Sequence, residues 1–361
     1  MSTGLLHAAD EAAALAELHR LGCTDGLPVV IPTPARVERM VLAAVDDPTT
    51  SLGVMGPLNS ATSIDKIAVN TVMAGCEPDH MPIVLATLRA LLRPEYDLFE
   101  AQSTTHSTTP LVVVSGPLAH ACGIAGGFGA LGPGHRANAS IGRAVRLCLQ
   151  NIGGARPGVS DMALLGHGGK FTMCLTEDIE QSPWPACSVD AGFDAFDSVV
   201  TVIGVEAPHS VVFVDDADDA DSPQRLLRLV ARAIANPGSN NAFFRTGSVA
   251  VALNPDHAAV LGRAGLKRSD VQSELHRLAT NRRGDLRRLN PAFVGAGDAD
   301  DELHALPSPD HVLVLVAGGG GLYSTVFPSW SAGAHLNPIL HERIETDQAC
   351  ALPAYGPAGS G

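Results

Sequence analysis

Aromatic residues are scarce, at 4% of the chain, so a core built on stacked rings is not expected. Basic residues are outnumbered, 24 Lys and Arg against 38 Asp and Glu, and the net charge of −14 argues against nucleic acid and anionic membrane as partners. No run is long and apolar enough to span a bilayer, and the first residues lack a basic stretch followed by an apolar one. The seven Cys are odd in number and contain no CxxC, so they do not read as a disulfide framework. Together these absences lead us to expect a cytoplasmic protein with reduced thiols. Nucleotide-binding signatures are missing too: there is no Walker A pattern and no GxGxxG after a strand. Neither HxxxH nor CxxC spacing favours a metal, and no GxSxG elbow favours a serine hydrolase. No cofactor is expected.

Glycine, proline and alanine, by contrast, are abundant, which fits a loop-rich α/β protein of two domains or one large one. Asp10 caps a helix to Arg20, Thr24-Asp25-Gly26 is a turn, and Thr33-Pro34 opens a second helix. Helices are expected over 65–74, 78–92, 140–150 and 222–236, and strands over Leu111–Val114, Ser248–Leu253 and His311–Val316. The acidic stretch Asp215–Asp221 reads as a solvated loop, because it lacks calcium-loop spacing.

Much of the chemistry gathers between Asp161 and Trp184. Gly166-His167-Gly168-Gly169 is a flexible turn. From Lys170 the pattern alternates, with Lys170, Thr172, Cys174 and Thr176 on one face and Phe171, Met173, Leu175 and Glu177 on the other. That predicts a strand flooring a site; a half-buried strand with incidental Cys and Thr explains the residue types equally well. On such a strand Lys170 lies about 13 Å from Cys174, too far to activate it, and would bind a substrate anion instead.

The chain also contains one unit twice. Helix, Pro, polar loop, strand, Pro, short helix and Gly recur in the same order around residues 85–127 and 228–266. Gly166 to Cys174 aligns with Gly318 to Val326. The fold class expected is therefore α/β, as two pseudo-symmetric repeats behind a short helical N-terminal segment. The expected divisions are 1–60 (N-terminal segment), 61–205 and 206–345 (the repeats), and 346–361 (a flexible tail). The cleft between the halves is the default pocket. The first copy carries His167, Lys170 and Cys174 where the second has Gly319, Leu322 and Val326, so chemistry leans on the first.

Cys76 precedes Pro78, which starts a helix. A thiol there feels the helix dipole and becomes a better nucleophile, although a small apolar filler is the competing reading. His135 and Arg136 follow a Gly-rich loop and lead into a helix capped near Asn138, an arrangement suited to carboxylate or phosphate. His106, in a polar loop, is an acid–base candidate. Cys23, Cys122, Cys148, Cys187 and Cys350 read as structural.

These motifs resemble a family of bacterial proteins often encoded beside small proteins bearing a UGSC (selenocysteine or cysteine) motif, which look distantly like the selenoprotein subunit of glycine reductase. The likeness spans most of residues 20–330: Thr24–Val30, Met73–Cys76, Thr104–His106, Leu131–Asn138, His167, Gly169-Lys170, Cys174, Glu177, Glu180, Ser182–Trp184 and Pro237–Asn241. Gly168 stands where the family usually has Pro, and AGGGGLYS stands for AGGPGKHS, so a Lys and a His of the second copy are missing.

The leading expectation is an enzyme acting on a small anionic substrate that makes or breaks a carbon–heteroatom bond, as a lyase, transferase or thiol-dependent reductase. Cys76, Cys174, His106, Lys170 and His167 are its catalytic candidates; His135, Arg136, Asn138, Glu177 and Asp25 are its substrate-binding ones. Two alternatives stand beside it. One, implied by the resemblance, is a subunit that works with a small Cys- or Sec-containing partner protein in a thiol- or selenol-dependent reductase complex. The other is a metal-dependent hydrolase or lyase. A homo-oligomer is compatible with each.

Overall fold

The computed structural model describes residues 5–329 and 333–346; the expected tail beyond its first residue, with Cys350, lies outside the described residues. The protein is α/β. Glu11–Arg20 (α1) begins where the Asp10 carboxylate accepts the Ala13 amide, and Pro34–Val41 (α2) where the Thr33 hydroxyl accepts that of Arg36. A small hairpin pairs Ser51–Met55 with Ser60–Ser63. Ile64–Met73 (α3), Met81–Leu92 (α4) and Arg136–Asn151 (α5) follow, then Ser222–Ile234 (α6), Pro255–Arg263 (α7) and Arg268–Leu278 (α8).

Two four-stranded sheets carry the architecture. Their strands are Thr109–Ser115 (β1), Cys174–Thr176 (β2), Val199–Val205 (β3), His209–Val212 (β4), Val249–Leu253 (β5), Val312–Val316 (β6), Tyr323–Phe327 (β7) and Leu340–Arg343 (β8). The first sheet runs β2-β1-β3-β8 and the second β6-β5-β7-β4. In each, the first pair is parallel and the next two are antiparallel. Leu111–Val114 and Ser248–Leu253 thus fall on strands with equivalent places. The edge strands are exchanged: β4 follows β3 in the chain but joins the second sheet, and β8 follows β7 but joins the first.

The sheets pack face to face, with helices on both outer faces. Period-two alternation decides which way each residue points. Val112, Val114, Val200 and Val202 face α3, α4 and α5, while Leu111, Val113, Ile203 and Val205 meet the other sheet. On that sheet Ala250, Ala252, Leu313 and Leu315 fill the seam, and Val249, Val251, Val312 and Val314 face the helices beyond. The seam between the halves is therefore core, not the cleft expected there.

The glycine turns are not equivalent either. Gly166–Gly169 precedes β2, which is parallel to its neighbour, whereas Gly318–Gly321 precedes the antiparallel β7. The strand expected from Lys170 is short, because residues 168–170 form a single 3-10 turn and only Cys174–Thr176 pairs.

Candidate functional site

A cleft of about 620 Å³ opens beside α5, between the Gly22–Asp25 turn and the loop from Arg156 to Phe171. The helix supplies Arg146 and Gln150 to it. Gly142 is what lets α5 lie so close, since a Cβ there would strike the Thr172 hydroxyl and the Met173 amide. Arg146 holds the loop by donating to Ala155 O at 3.1 Å. The loop then turns at Gly166, whose φ of +78° suits glycine.

Asp161 is the centre of the cleft's electrostatics. It is buried, and its carboxylate accepts from Lys170 Nζ at 2.9 Å and from Arg146 Nη2 at 3.2 Å. Two cations share one carboxylate, leaving a positive charge unbalanced. Arg156, which also lines the cleft, has no side-chain acceptor among the described residues. Burial pulls the Lys170 amine below the ordinary lysine range, and Asp161 opposes that pull. Pro157, Val159, Leu165 and Phe171 give the cleft an apolar wall.

Asp25 lines this cleft but is already engaged, accepting both prongs of Arg143 at 2.7 and 2.8 Å. Burial pushes its carboxyl up, and the guanidinium more than offsets this, so the pKa lies below the usual value. The Asp25–Arg143 pair fixes the turn against α5 and builds the wall of the cleft. His167 is also engaged: Nδ1 accepts from Gly169 N at 3.1 Å, so Nε2–H donates to Ser107 O at 2.8 Å. With both ring nitrogens used and burial lowering its pKa, it is a neutral brace for the turn. His106, one residue before Ser107, contacts Glu206 Oε2 through Nε2 at 2.7 Å. Its buried Nδ1 has no hydrogen-bond partner among the described residues.

Several expected site residues sit elsewhere. Cys174 is 1% exposed on the helix-facing side of β2, and burial pushes its thiol up to about 12. Its neighbours Thr172 and Thr176 spend their hydroxyls on backbone carbonyls. Cys76 belongs to the same core and burial raises its thiol too, aided by Cys148 and Cys174 nearby. The dipole argument fails there because desolvation of a thiolate outweighs it. Cys76, Cys174 and Lys170 therefore do not meet in one cleft.

Asn138 is structural: Oδ1 accepts the Ala125 amide, and Nδ2 donates to Ala125 O and Ala130 O, pinning the Gly-rich loop. Glu177 is buried against Arg268 at 2.8 Å and accepts the Cys187 amide at 2.5 Å. It ties the end of β2 to α8 rather than meeting a substrate. His135 donates through Nε2–H to Phe128 O at 3.0 Å. Arg136 lies at the far end of α5 from the cleft, paired with Glu77 at 2.7 Å.

The residues overlooked in the sequence are Arg146, Arg156, Asp161 and Glu206. Arg143, Arg146 and Gln150 share one face of a helix by their three- and four-residue spacing, a signal open to inspection. No local pattern marks Arg156 or Glu206. Among the described residues, no three His, Cys, Asp or Glu side chains gather as a metal-holding group, and no helix is long and apolar enough to cross a membrane. Compared with models of known protein families the chain matches none, and comparison with curated protein sequences likewise finds no match.

Proposed function

We propose that the protein is an enzyme acting on a small organic anion held in the cleft beside α5, and that Lys170 moves the proton as a carbon–heteroatom bond is made or broken. The observation that carries this reading is the cation set Arg146, Arg156 and Lys170 around the single shared carboxylate Asp161. In a chain of net charge −14, such a spot concentrates anions. A lysine whose pKa is lowered by burial exchanges protons nearer neutrality than a free one. The apolar wall suits the carbon body of a substrate whose carboxylate or phosphate reaches the guanidiniums. Thiol chemistry drops out of the proposal, because Cys76 and Cys174 are buried with raised thiols.

The test is binding and turnover across a panel of short aliphatic and aromatic carboxylates and their phosphate analogues. Arg156→Ala is expected to weaken binding ten- to a hundredfold, the worth of one charge-assisted hydrogen bond at roughly 1.5–3 kcal/mol. Lys170→Arg keeps the charge but not the readily lost proton, so binding should survive while turnover falls by orders of magnitude. Unchanged binding in Arg156→Ala and unchanged turnover in Lys170→Arg would remove the cleft from the reading.

A second reading, a subunit serving a small thiol- or selenol-bearing partner protein, draws on the family resemblance and on one further observation. Val159, Leu164 and Leu165 at the cleft mouth are 78, 86 and 95% exposed, a patch suited to docking. Leu164→Asp and Leu165→Asp would then abolish an activity that needs the partner, and spare one that does not. A metal-dependent hydrolase has no cluster to rest on among the described residues. We infer too that the halves arose by duplication of one unit; the matching strand order and sense of the two sheets support this.

A further inference from the structure

We propose that Arg36, Arg39 and Arg136 form a second anion site, separate from the cleft, that takes a small inorganic oxyanion such as phosphate or sulfate. The three guanidiniums line a depression of about 170 Å³ between α2, the Gly75–Pro78 corner and the first residue of α5. Arg136 and Arg146 stand ten residues apart on one helix, roughly 15 Å at ~1.5 Å per residue, so this site and the cleft are distinct places.

Backbone carbonyls orient two of the three forks. Arg36 Nη1 donates to Ile31 O at 2.9 Å, and Arg136 Nη2 to Gly75 O at 3.2 Å. Arg39 has no side-chain acceptor among the described residues. Against these three cations the depression is lined by one carboxylate, Glu77, on Arg136; Glu11 meets Arg36 at 2.9 Å from outside the lining. The helix that begins at Arg136 has no side-chain cap, so its amino-terminal partial charge adds to the same field.

Size chooses the ligand. At about 30 Å³ per water the depression holds the equivalent of five or six waters, enough for a tetrahedral oxyanion and part of its hydration shell. It falls short of the ~300–1,000 Å³ of drug-sized ligand pockets. Filled, it ties α2 to the body of the first half, so the anion stabilises the fold by mass action.

The experiment is calorimetric titration of the full chain with inorganic phosphate, then sulfate, at low ionic strength, with melting curves alongside. The expected result is saturable binding that weakens with added sodium chloride, and a rise in melting temperature with phosphate. Arg39→Gln should bind at least tenfold more weakly and lose that rise. Its side chain is exposed and makes no ion pair among the described residues, so folding should be untouched. Arg156→Ala, in the cleft, should keep the Arg39-dependent phosphate binding of the wild type. Failure of the wild type to bind either anion overturns the proposal, as does wild-type affinity in both Arg39→Gln and Arg136→Ala. Loss of phosphate binding in Arg156→Ala alone would place the anion in the cleft and overturn it as well. Because the two sites are separately mutated, this proposal and the reading of the cleft stand or fall independently.

Discussion

Gly142 sits on the buried face of α5, where any side chain would press into Thr172 and Met173. Alanine is ordinarily the better helix former by about 1 kcal/mol. Here the contact is backbone and a short hydroxyl, neither of which moves far. Gly142→Ala is therefore expected to lower stability by about 1–3 kcal/mol despite its propensity, the usual range for overpacking. It should also loosen the Arg146–Asp161–Lys170 network one turn away, so that Arg156→Ala and Gly142→Ala both weaken ligand binding, by different routes. Denaturant melts read the first effect and titration the second; a more stable Gly142→Ala variant would show that the helix has room to shift.

At the scale of elements, the joint between β2 and α8 rests on a buried ion pair. Arg268, the first residue of α8, is buried and reaches Glu177 just past β2. It also pairs with Asp190 and lies 5.7 Å from the Trp184 ring. Burial pushes the Glu177 carboxyl up while Arg268 pulls it down, so Glu177 depends on the guanidinium to stay charged. Glu177→Ala leaves the buried guanidinium with only the more exposed Asp190 as partner and is expected to cost up to about 3–5 kcal/mol. The double replacement Glu177→Leu with Arg268→Met should recover much of that, because no buried charge is then left alone. A mild effect of Glu177→Ala in urea denaturation would mean that water already reaches the pair.

For the whole molecule, histidine sets the acid limit. Burial holds the pKa of His80, His167, His257, His311 and His341 below the ordinary imidazole value. Between that lowered folded value and the unfolded one near 6.5, the unfolded chain binds more protons. Stability is therefore fully present above about pH 6.5 and is lost as the pH falls through the folded values. Urea midpoints measured at pH 7.5, 6.5 and 5.5 should decline in that order. A flat profile would show that these rings become charged without opening the fold. Asp25, with its depressed carboxyl, adds a second loss at lower pH, near and below the ordinary carboxylate range.

Near neighbours along the chain decide the features that are legible before the fold is known. The Asp10 and Thr33 caps start α1 and α2, Pro and Gly punctuate the chain, and the apolar runs of β1 and β5 appear as strands where expected. Those signals span a few residues and need no knowledge of the chain's path. The α/β class followed from them. The tertiary structure alone decided which charges are spent and which face a cleft. Asp25 lies 118 residues from Arg143, His106 lies 100 from Glu206, and Glu177 lies 91 from Arg268. It also decided that Lys170 closes a turn instead of riding a strand, and that each sheet takes its edge strand from beyond the other. Burial did the rest: the thiols of Cys76 and Cys174 look reactive as letters in a motif, and lose that character once desolvation disfavours the thiolate.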